Sequence, residues 1–303
     1  MACDITVHAL TGDGRSAAAA VDRALSVFPA VDAACTRFDP DSPLMRVNAR
    51  PDRWHRVPPL LFRAVEEAHR AYERTHGRFD PRVLRDLVDL GYDRSLPFAG
   101  GDVSTPGSRR RRPSPGPWRP RFRGGDRPEL HLGGEPIDLG GIGKGLAVRW
   151  AAEALDGHLD AYLVDAGGDC ACRGAGPDGH GWRIGVEDPR PEPGPPLAVI
   201  EVRDRAVATS SIRLRRWRSG GTAAHHLLDP ATGRPGGTGL LAVTVIADDP
   251  AEAEVASKAL FLAGRAGVAG EARRRNAAAL WVDTDGRSDE TSRFSPAVIW
   301  RAA

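Results

Sequence analysis

Cysteine is scarce in this chain. Four cysteines in 303 residues, Cys3, Cys35, Cys170 and Cys172, are too few for a disulfide framework, so a reducing compartment is the default expectation. No segment approaches the roughly 18 apolar residues of a membrane-spanning helix. The opening "MACDITVHAL" lacks a basic region followed by an apolar run, and a cytoplasmic protein without a membrane anchor is expected. An excess of charge of one sign is missing too. Against 42 basic residues stand 40 acidic ones, a net charge of +2, so nothing global points to nucleic acid or to a membrane surface. What is present is a hydrophobic content of 41%, enough for a substantial core in one large or two modest domains.

Periodicity separates the two halves. "AAAAVDRALSVFPAVDAACTRF" places Val21, Leu25 and Phe28 at helical intervals, and "LLFRAVEEAHRAYERTHG" repeats the spacing with Leu61, Val65, Ala68 and Tyr72 before Gly77. The N-terminal part is therefore expected to be helical, opened by a strand at Ile5 to Ala9. Between Asp93 and Pro128 lie nine arginines and seven prolines with little apolar content, the composition of a flexible insertion or long loop. Its run Arg109 to Arg112 is read as a solvated face rather than a docking site. Downstream, "AYLV", "GWRIGVEDP", "PLAVIEVRDRAVATSS", "LLAVTVIADDP" and "AAALWVDTDG" run or alternate between turn residues, as strands of a largely antiparallel sheet do. "GAGPDG" satisfies G-x-G-x-x-G as text, but Pro177-Asp178-Gly179 is turn chemistry and no helix follows, so it reads as a hairpin loop.

One stretch has the look of a nucleotide loop. "IDLGGIGKGLAVRWAAEALDG", residues 137–157, fails the phosphate-loop pattern at Asp138 and Gly145, and fails the dinucleotide fingerprint at Leu146. What remains is an acid, Asp138, and a lysine, Lys144, around a glycine-rich turn that opens an amphipathic helix. Three other stretches carry reactive groups. His226 precedes Asp229, which begins an Asp-Pro turn closed by Gly233 and Pro235. Thr209 and Ser210 end a strand where hydroxyls commonly satisfy backbone. Cys170 and Cys172 share a strand face, where buried packing is the simpler reading than metal. Gly167 and Gly168 in "DAGGD" admit close approach of either a ligand or a neighbouring strand.

In their order and spacing, "IDLGGIGKGLAVRWAAEAL", "YLVDAGGDCACRG", "GWRIGVEDP", "AVATSS", "HHLLDPATGRP" and "AVTVIADDPAEAEVASKALFLAG" resemble the ApbE family, the FAD:protein FMN transferases. "VDAACTRFDPDSPLMRVN" and "THGRFDPRV" resemble that family's N-terminal segments. The resemblance covers nearly the whole chain except the Arg/Pro-rich insertion at 93–128. It implies an α+β fold, with a helical N-terminal part packed on a largely antiparallel β-rich core, in a single domain over 1–303. It also implies a reaction in which FAD is cleaved, AMP leaves, and FMN is joined to a threonine of an acceptor flavoprotein.

By that resemblance Asp138 and Lys144 bind FAD, with Phe38, Arg78, Phe79, Asp80, Gly167, Gly168, Thr209, Ser210 and Leu228 as further cofactor positions. His226, Asp229 and Lys144 fall at catalytic positions. A magnesium ion is implied, its ligand positions falling on the Gly141 carbonyl, Glu254, Ser257 and Lys258. Here the chain departs from its relatives. The usual "D-A-L-A-T-A" is "EVASKA", placing Glu254 and Lys258 where Asp and Thr help ligate magnesium, and a protonated lysine is no ligand. Either Lys258 supplies part of the metal's charge, or metal affinity falls. "M-G-T" is "M-A-C" and "T-S-G" is "T-S-S", which alters flavin contacts at Met1 and Ser211, and Cys3 lacks the apolar run of a lipobox. FAD hydrolysis without an acceptor, and non-catalytic flavin binding, stand as alternative readings.

Overall fold

The structure, a computed structural model, describes residues 3–10, 14–94, 102–103, 116–190 and 194–302. The chain folds into two compact units that interleave in sequence. One comprises Met1–Ala30, Lys144–Arg213 and Thr238–Ala303; the other comprises Val31–Gly143 and Leu214–Gly237. Among the described residues there are seven α-helices: α1 (Gly14–Cys35), α2 (Pro43–Asn48), α3 (Pro59–Arg74), α4 (Leu84–Asp89), α5 (Gly143–Leu155), α6 (Pro250–Leu262) and α7 (Gly264–Arg274).

The first unit is built on a seven-stranded sheet in the order Ile5–Leu10, Ala161–Ala166, Asp169–Arg173, Arg205–Ser211, Leu240–Ala247, Ala278–Asp283, Ser288–Glu290. Every neighbouring pair is antiparallel. The β-branched runs expected to be strands are strands, and the fold is α+β. A second, three-stranded sheet (Trp182–Val186, Ala198–Val202, Val298–Arg301) joins the first around a core that includes Cys170, Cys172, Trp182, Ile200, Val282 and Phe294. Burial pushes the Cys172 thiol up to about 12 and the Cys170 thiol well above its ordinary value, which makes both packing residues rather than thiolate ligands. Helix α6 lies on the central strands, with Ala253 against Ala206 and Ala208, and alanines at this contact let backbone approach backbone. "GAGPDG" turns as expected, but it links strands of two different sheets instead of closing a hairpin.

The second unit carries α2, α3 and α4 with short two- and three-stranded sheets. In α3 the expected stripe is present: Leu61, Ala64, Val65, Ala68 and Ala71 are buried. The Gly77 amide donates to the Tyr72 carbonyl at 2.9 Å with φ +77°, a left-handed helix stop that glycine adopts without steric cost. Helix α1 corrects the sequence reading. Its buried stripe is Ala17, Ala20, Ala24, Phe28, Val31 and Ala34, while Leu25 is 38% exposed; alanines set the phase, and the larger Val21 and Leu25 lie off it.

The stretch 93–128 is corrected in part. Its described end is structured: Arg121–Arg123 pairs with Glu129–His131, and Trp118 is buried against Tyr72, its ring nitrogen donating to the Leu132 carbonyl at 2.9 Å. A single tryptophan supplies the apolar area that composition did not promise. The arginine run 109–112 lies outside the described residues. No helix among the described residues is long and apolar enough to cross a membrane.

Candidate functional site

Reactive side chains gather at two places, one in each unit. In the first unit the centre is the opening turn of α5. A Cβ on Gly145 would lie 2.7 Å from both the Ala251 Cα and the Pro250 carbonyl. That contact with α6 explains why no serine or threonine stands at 145, and hence why the phosphate-loop pattern fails there. The Gly145 amide donates to Glu254 Oε2 at 2.8 Å. Next to it, the Lys144 ammonium lies 2.7 Å from Oδ2 of the buried Asp169, an oxygen with no hydrogen-bond partner beyond this ion pair. Lys258 Nζ lies 4.0 Å from Glu254 Oε1, one helical turn along α6. Glu254 is 3% exposed. Burial raises its carboxyl above the ordinary value and Asp169 adds to the rise, while Lys258, Lys144 and the Gly145 amide oppose it.

Hydroxyls stand on both faces of the sheet beside it, Ser210 and Ser257 on the α6 side, Thr209 and Thr244 on the other. Ser257 Oγ donates to the Glu254 carbonyl at 3.0 Å, which leaves Ser210 as the donor in its 2.9 Å contact with Ser257. Thr209 and Thr244 face each other across paired strands with their hydroxyls 2.9 Å apart. The glycines of "DAGGD" form the two-residue turn between Ala161–Ala166 and Asp169–Arg173, Gly167 at φ +62° and Gly168 at φ +90°, as a tight hairpin requires. A Cβ on Gly167 would meet the Cys3 Cβ at 2.7 Å. The close approach is therefore to a neighbouring segment of the chain, and the turn aims Asp169 at Lys144.

In the second unit the centre is Arg37. Its guanidinium lies 4.2 Å from the ring centroids of both Phe38 and Tyr92. Nη1 donates to the Tyr92 carbonyl, Nε is 3.4 Å from Asp138 Oδ1, and Nη2 is buried without a hydrogen-bond partner. Phe38 is 43% exposed. Asp138 is fixed through backbone: its amide donates to the Pro81 carbonyl at 2.7 Å, and Asn48 brackets the preceding Ile137, accepting from its amide and donating to its carbonyl. Gly141 sits in the turn closed on the Leu139 carbonyl, which accepts from the Ile142 and Gly143 amides.

Other expected positions in this unit hold structure together. Phe79 is buried, its amide donating to Thr75 Oγ1. Asp80 accepts from the Arg82 guanidinium and the Arg82 amide. Arg78 follows the left-handed turn and is half-buried. Leu228 is buried with Leu87, Leu90, Tyr92, Trp217 and Ala224. Asp229 closes the Asp-Pro turn, its Oδ1 accepting from Ala231 and its carbonyl from Gly233. His226 is half-buried with Nδ1 3.4 Å from the Arg215 carbonyl. Sequence reasoning passed over Asp169 and Arg37. Asp169 ended a turn motif read for its glycines, and Arg37 was one unspecified position within a quoted segment.

Residues 1–281 match the profile described as "ApbE family". The chain belongs to the ApbE family. A Treponema pallidum protein named FAD:protein FMN transferase is 32% identical over 145 residues, 45% of this chain and 40% of its own length. An Escherichia coli K12 protein of the same name is 29% identical over 167 residues, 55% of this chain and 46% of its own. The chain thus spans less than half the length of these two relatives. Among solved structures, the ApbE protein of Thermotoga maritima superposes with a TM-score of 0.78 at 27% identity, covering 97% of this chain and 94% of that one. The apo flavinyl transferase of Pseudomonas stutzeri superposes with a TM-score of 0.78 at 22% identity, covering 99% and 98%, a likeness of fold.

Proposed function

We propose that this ApbE-family protein is an FAD:protein FMN transferase. The family match over residues 1–281 carries the reading, and the relatives' printed activity supports it. In the reaction the acceptor's threonine oxygen attacks the FMN-side phosphorus of FAD. The bond from that phosphorus to the bridging oxygen breaks, AMP leaves with that oxygen, and the hydroxyl proton passes to a base. Lys144 is the residue assigned to the pyrophosphate: an ammonium in the first turn of α5 adds its charge to the positive end of the helix. Its ion pair with Asp169 fixes the direction of an otherwise flexible side chain. His226 is assigned the proton. Donation from Nδ1 to the Arg215 carbonyl would make Nε2 the accepting nitrogen.

Magnesium, implied by resemblance, does not fit the donor set present. Glu254 Oε2 is engaged by the Gly145 amide, and Oε1 faces an ammonium 4.0 Å away. A magnesium ion on Oε1, at about 2.1 Å, would sit within about 6 Å of that ammonium. Their repulsion is roughly 5 kcal/mol at an effective dielectric of 20. Among the described residues no group of three or more His, Cys, Asp or Glu side chains could hold a metal. The same ammonium favours a second reading, a protein that binds FAD without cleaving it.

Incubating the purified protein with FAD, with and without a threonine-bearing acceptor flavoprotein, separates the readings. AMP together with covalent flavin fluorescence on a denaturing gel is the expected result. AMP in equal amounts without acceptor marks a hydrolase, and bound FAD with no AMP marks a binding protein.

A further inference from the structure

Of the 42 basic residues in this chain only two are lysine, Lys144 and Lys258; the other 40 are arginine. Arginine serves surface pairs such as Arg85–Glu135 and also the buried Glu271 and Asp283, and yet lysine stands beside both Asp169 and Glu254, the carboxylates next to the opening turn of α5. The two lysines belong to one cluster. Glu254, beside Lys258, accepts from the amide of Gly145, the residue after Lys144. The Lys258 side chain is 16% exposed, and its carboxylate neighbour 5%. A guanidinium is a broad planar fork, whereas an ammonium is a compact point charge with three donors. Only the second resembles a small inorganic cation in size and in the spherical spread of its field.

We propose that Lys258 is a phosphate-binding residue and the chain's own replacement for a divalent cation: together with Lys144 it neutralises the pyrophosphate of FAD, so that flavin nucleotide binding needs no magnesium. This rests on the flavin transferase reading and names the charge chemistry of that site. The geometry supports it in two ways. Lys258 is anchored on α6, whose N-terminus is capped by Asp249 and tied to α5 through Arg149, so the two ammonium-bearing helices are fixed to each other. Lys258 stands 4.0 Å from Glu254, the limit of an ion pair, and burial raises that carboxyl above its ordinary value, so the ammonium brings this cluster positive charge of the kind a metal would bring.

The test is FAD affinity, read by quenching of flavin fluorescence in EDTA and in excess Mg2+, together with Mn2+ binding read by electron paramagnetic resonance. The wild-type protein should bind FAD with affinities within about twofold in the two buffers and show no stoichiometric Mn2+ site. Lys258→Thr should lose about tenfold or more in EDTA, regain affinity with Mg2+, and acquire a Mn2+ site, since a hydroxyl can ligate where an ammonium cannot. Lys258→Met keeps much of the aliphatic stem and offers no ligand; it should lose affinity in both buffers while circular dichroism shows it folded at the titration temperature, even though loss of the charge beside buried Glu254 lowers its melting temperature. Lys258→Arg should remain weakened despite its charge. Wild-type affinity that collapses in EDTA, or Lys258→Met binding like the wild type, would overturn the proposal and leave the transferase reading standing. A wild-type protein that binds no FAD in either buffer would sink both.

Discussion

In the unit built on the seven-stranded sheet, two buried carboxylates are each set beside an ammonium, Asp169 by Lys144 and Glu254 by Lys258, while the buried Glu271 and Asp283 pair with arginines. In the other unit Arg37 lies between two aromatic faces, with Asp138 at 3.4 Å and one N–H left without a partner. The first arrangement neutralises charge with charge and is stiff, because α5, α6 and the strand Asp169–Arg173 hold the partners. The second embeds a cation in polarisable rings, one of which, Phe38, is 43% exposed. The difference is one of role. Charge matched to charge suits a group whose direction must not change, such as Lys144. A cation with an unfilled donor beside an exposed ring suits contact with a planar ligand.

The largest expected effect comes from breaking the matched pair. Lys144→Met leaves Asp169, 1% exposed, without its countercharge and with Glu254 nearby. Loss of one partner of a buried pair costs about 3–5 kcal/mol; with the Lys144 side chain 21% exposed, about 2–4 kcal/mol is the expectation. The double variant Lys144→Met/Asp169→Asn should recover part of that loss, which urea denaturation of the single and double variants measures. Recovery of stability without recovery of FAD binding separates the structural task of Lys144 from its functional one. Equal stability of wild type and Lys144→Met would show that the pair carries no weight in the fold.

The spacing of Asp138 and Lys144 around a glycine turn stands out in the sequence because acid, base and glycine are local signals. The partner of Lys144 does not, because Asp169 arrives from a different strand, and pairing across a sheet leaves no trace in periodicity. The strands were legible where β-branched residues run between turns, and α3 where large residues mark its stripe. Helix α1 was misread because alanine carries its buried face, and a small side chain gives a periodicity argument little to weigh. Trp118 shows the converse, that one large ring can anchor a segment whose average composition reads as a loop.

A smaller effect is expected from a half-buried histidine of the second unit. His225 is held near an apparent value of about 4, first by burial, with the Gly236 backbone opposing. The folded state therefore favours the neutral ring more than the unfolded chain does, whose histidine titrates near 6.5. Stability from this residue is complete above pH 6.5, falls as the pH drops towards 4 and levels off below it. The full range is roughly 2–3 kcal/mol. Unfolding free energies of wild type and His225→Asn between pH 7.5 and 4 should diverge in that window; parallel curves would show that the ring is not held neutral by the fold.

The smallest expected change in stability tests the ring-held cation itself. Arg37→Lys keeps the positive charge and removes the planar fork, the contact of Nη1 with the Tyr92 carbonyl, and the unfilled Nη2. Losing a hydrogen bond and a stacking contact costs about 1–2 kcal/mol, while removing a buried donor that has no partner returns about 1 kcal/mol or more. The two nearly offset, so the melting temperature should move by a few degrees at most. Binding should move further. If Arg37 aligns Phe38 and Asp138 for the nucleotide, and its Nη2 finds its acceptor there, Arg37→Lys should weaken FAD by about tenfold, read by fluorescence titration. FMN and AMP titrated separately tell which ring is involved, since the loss should fall on one of the two. Unchanged FAD affinity, or equal losses for both halves in step with a large fall in melting temperature, would reduce Arg37 to a packing residue and erase the contrast between the two units.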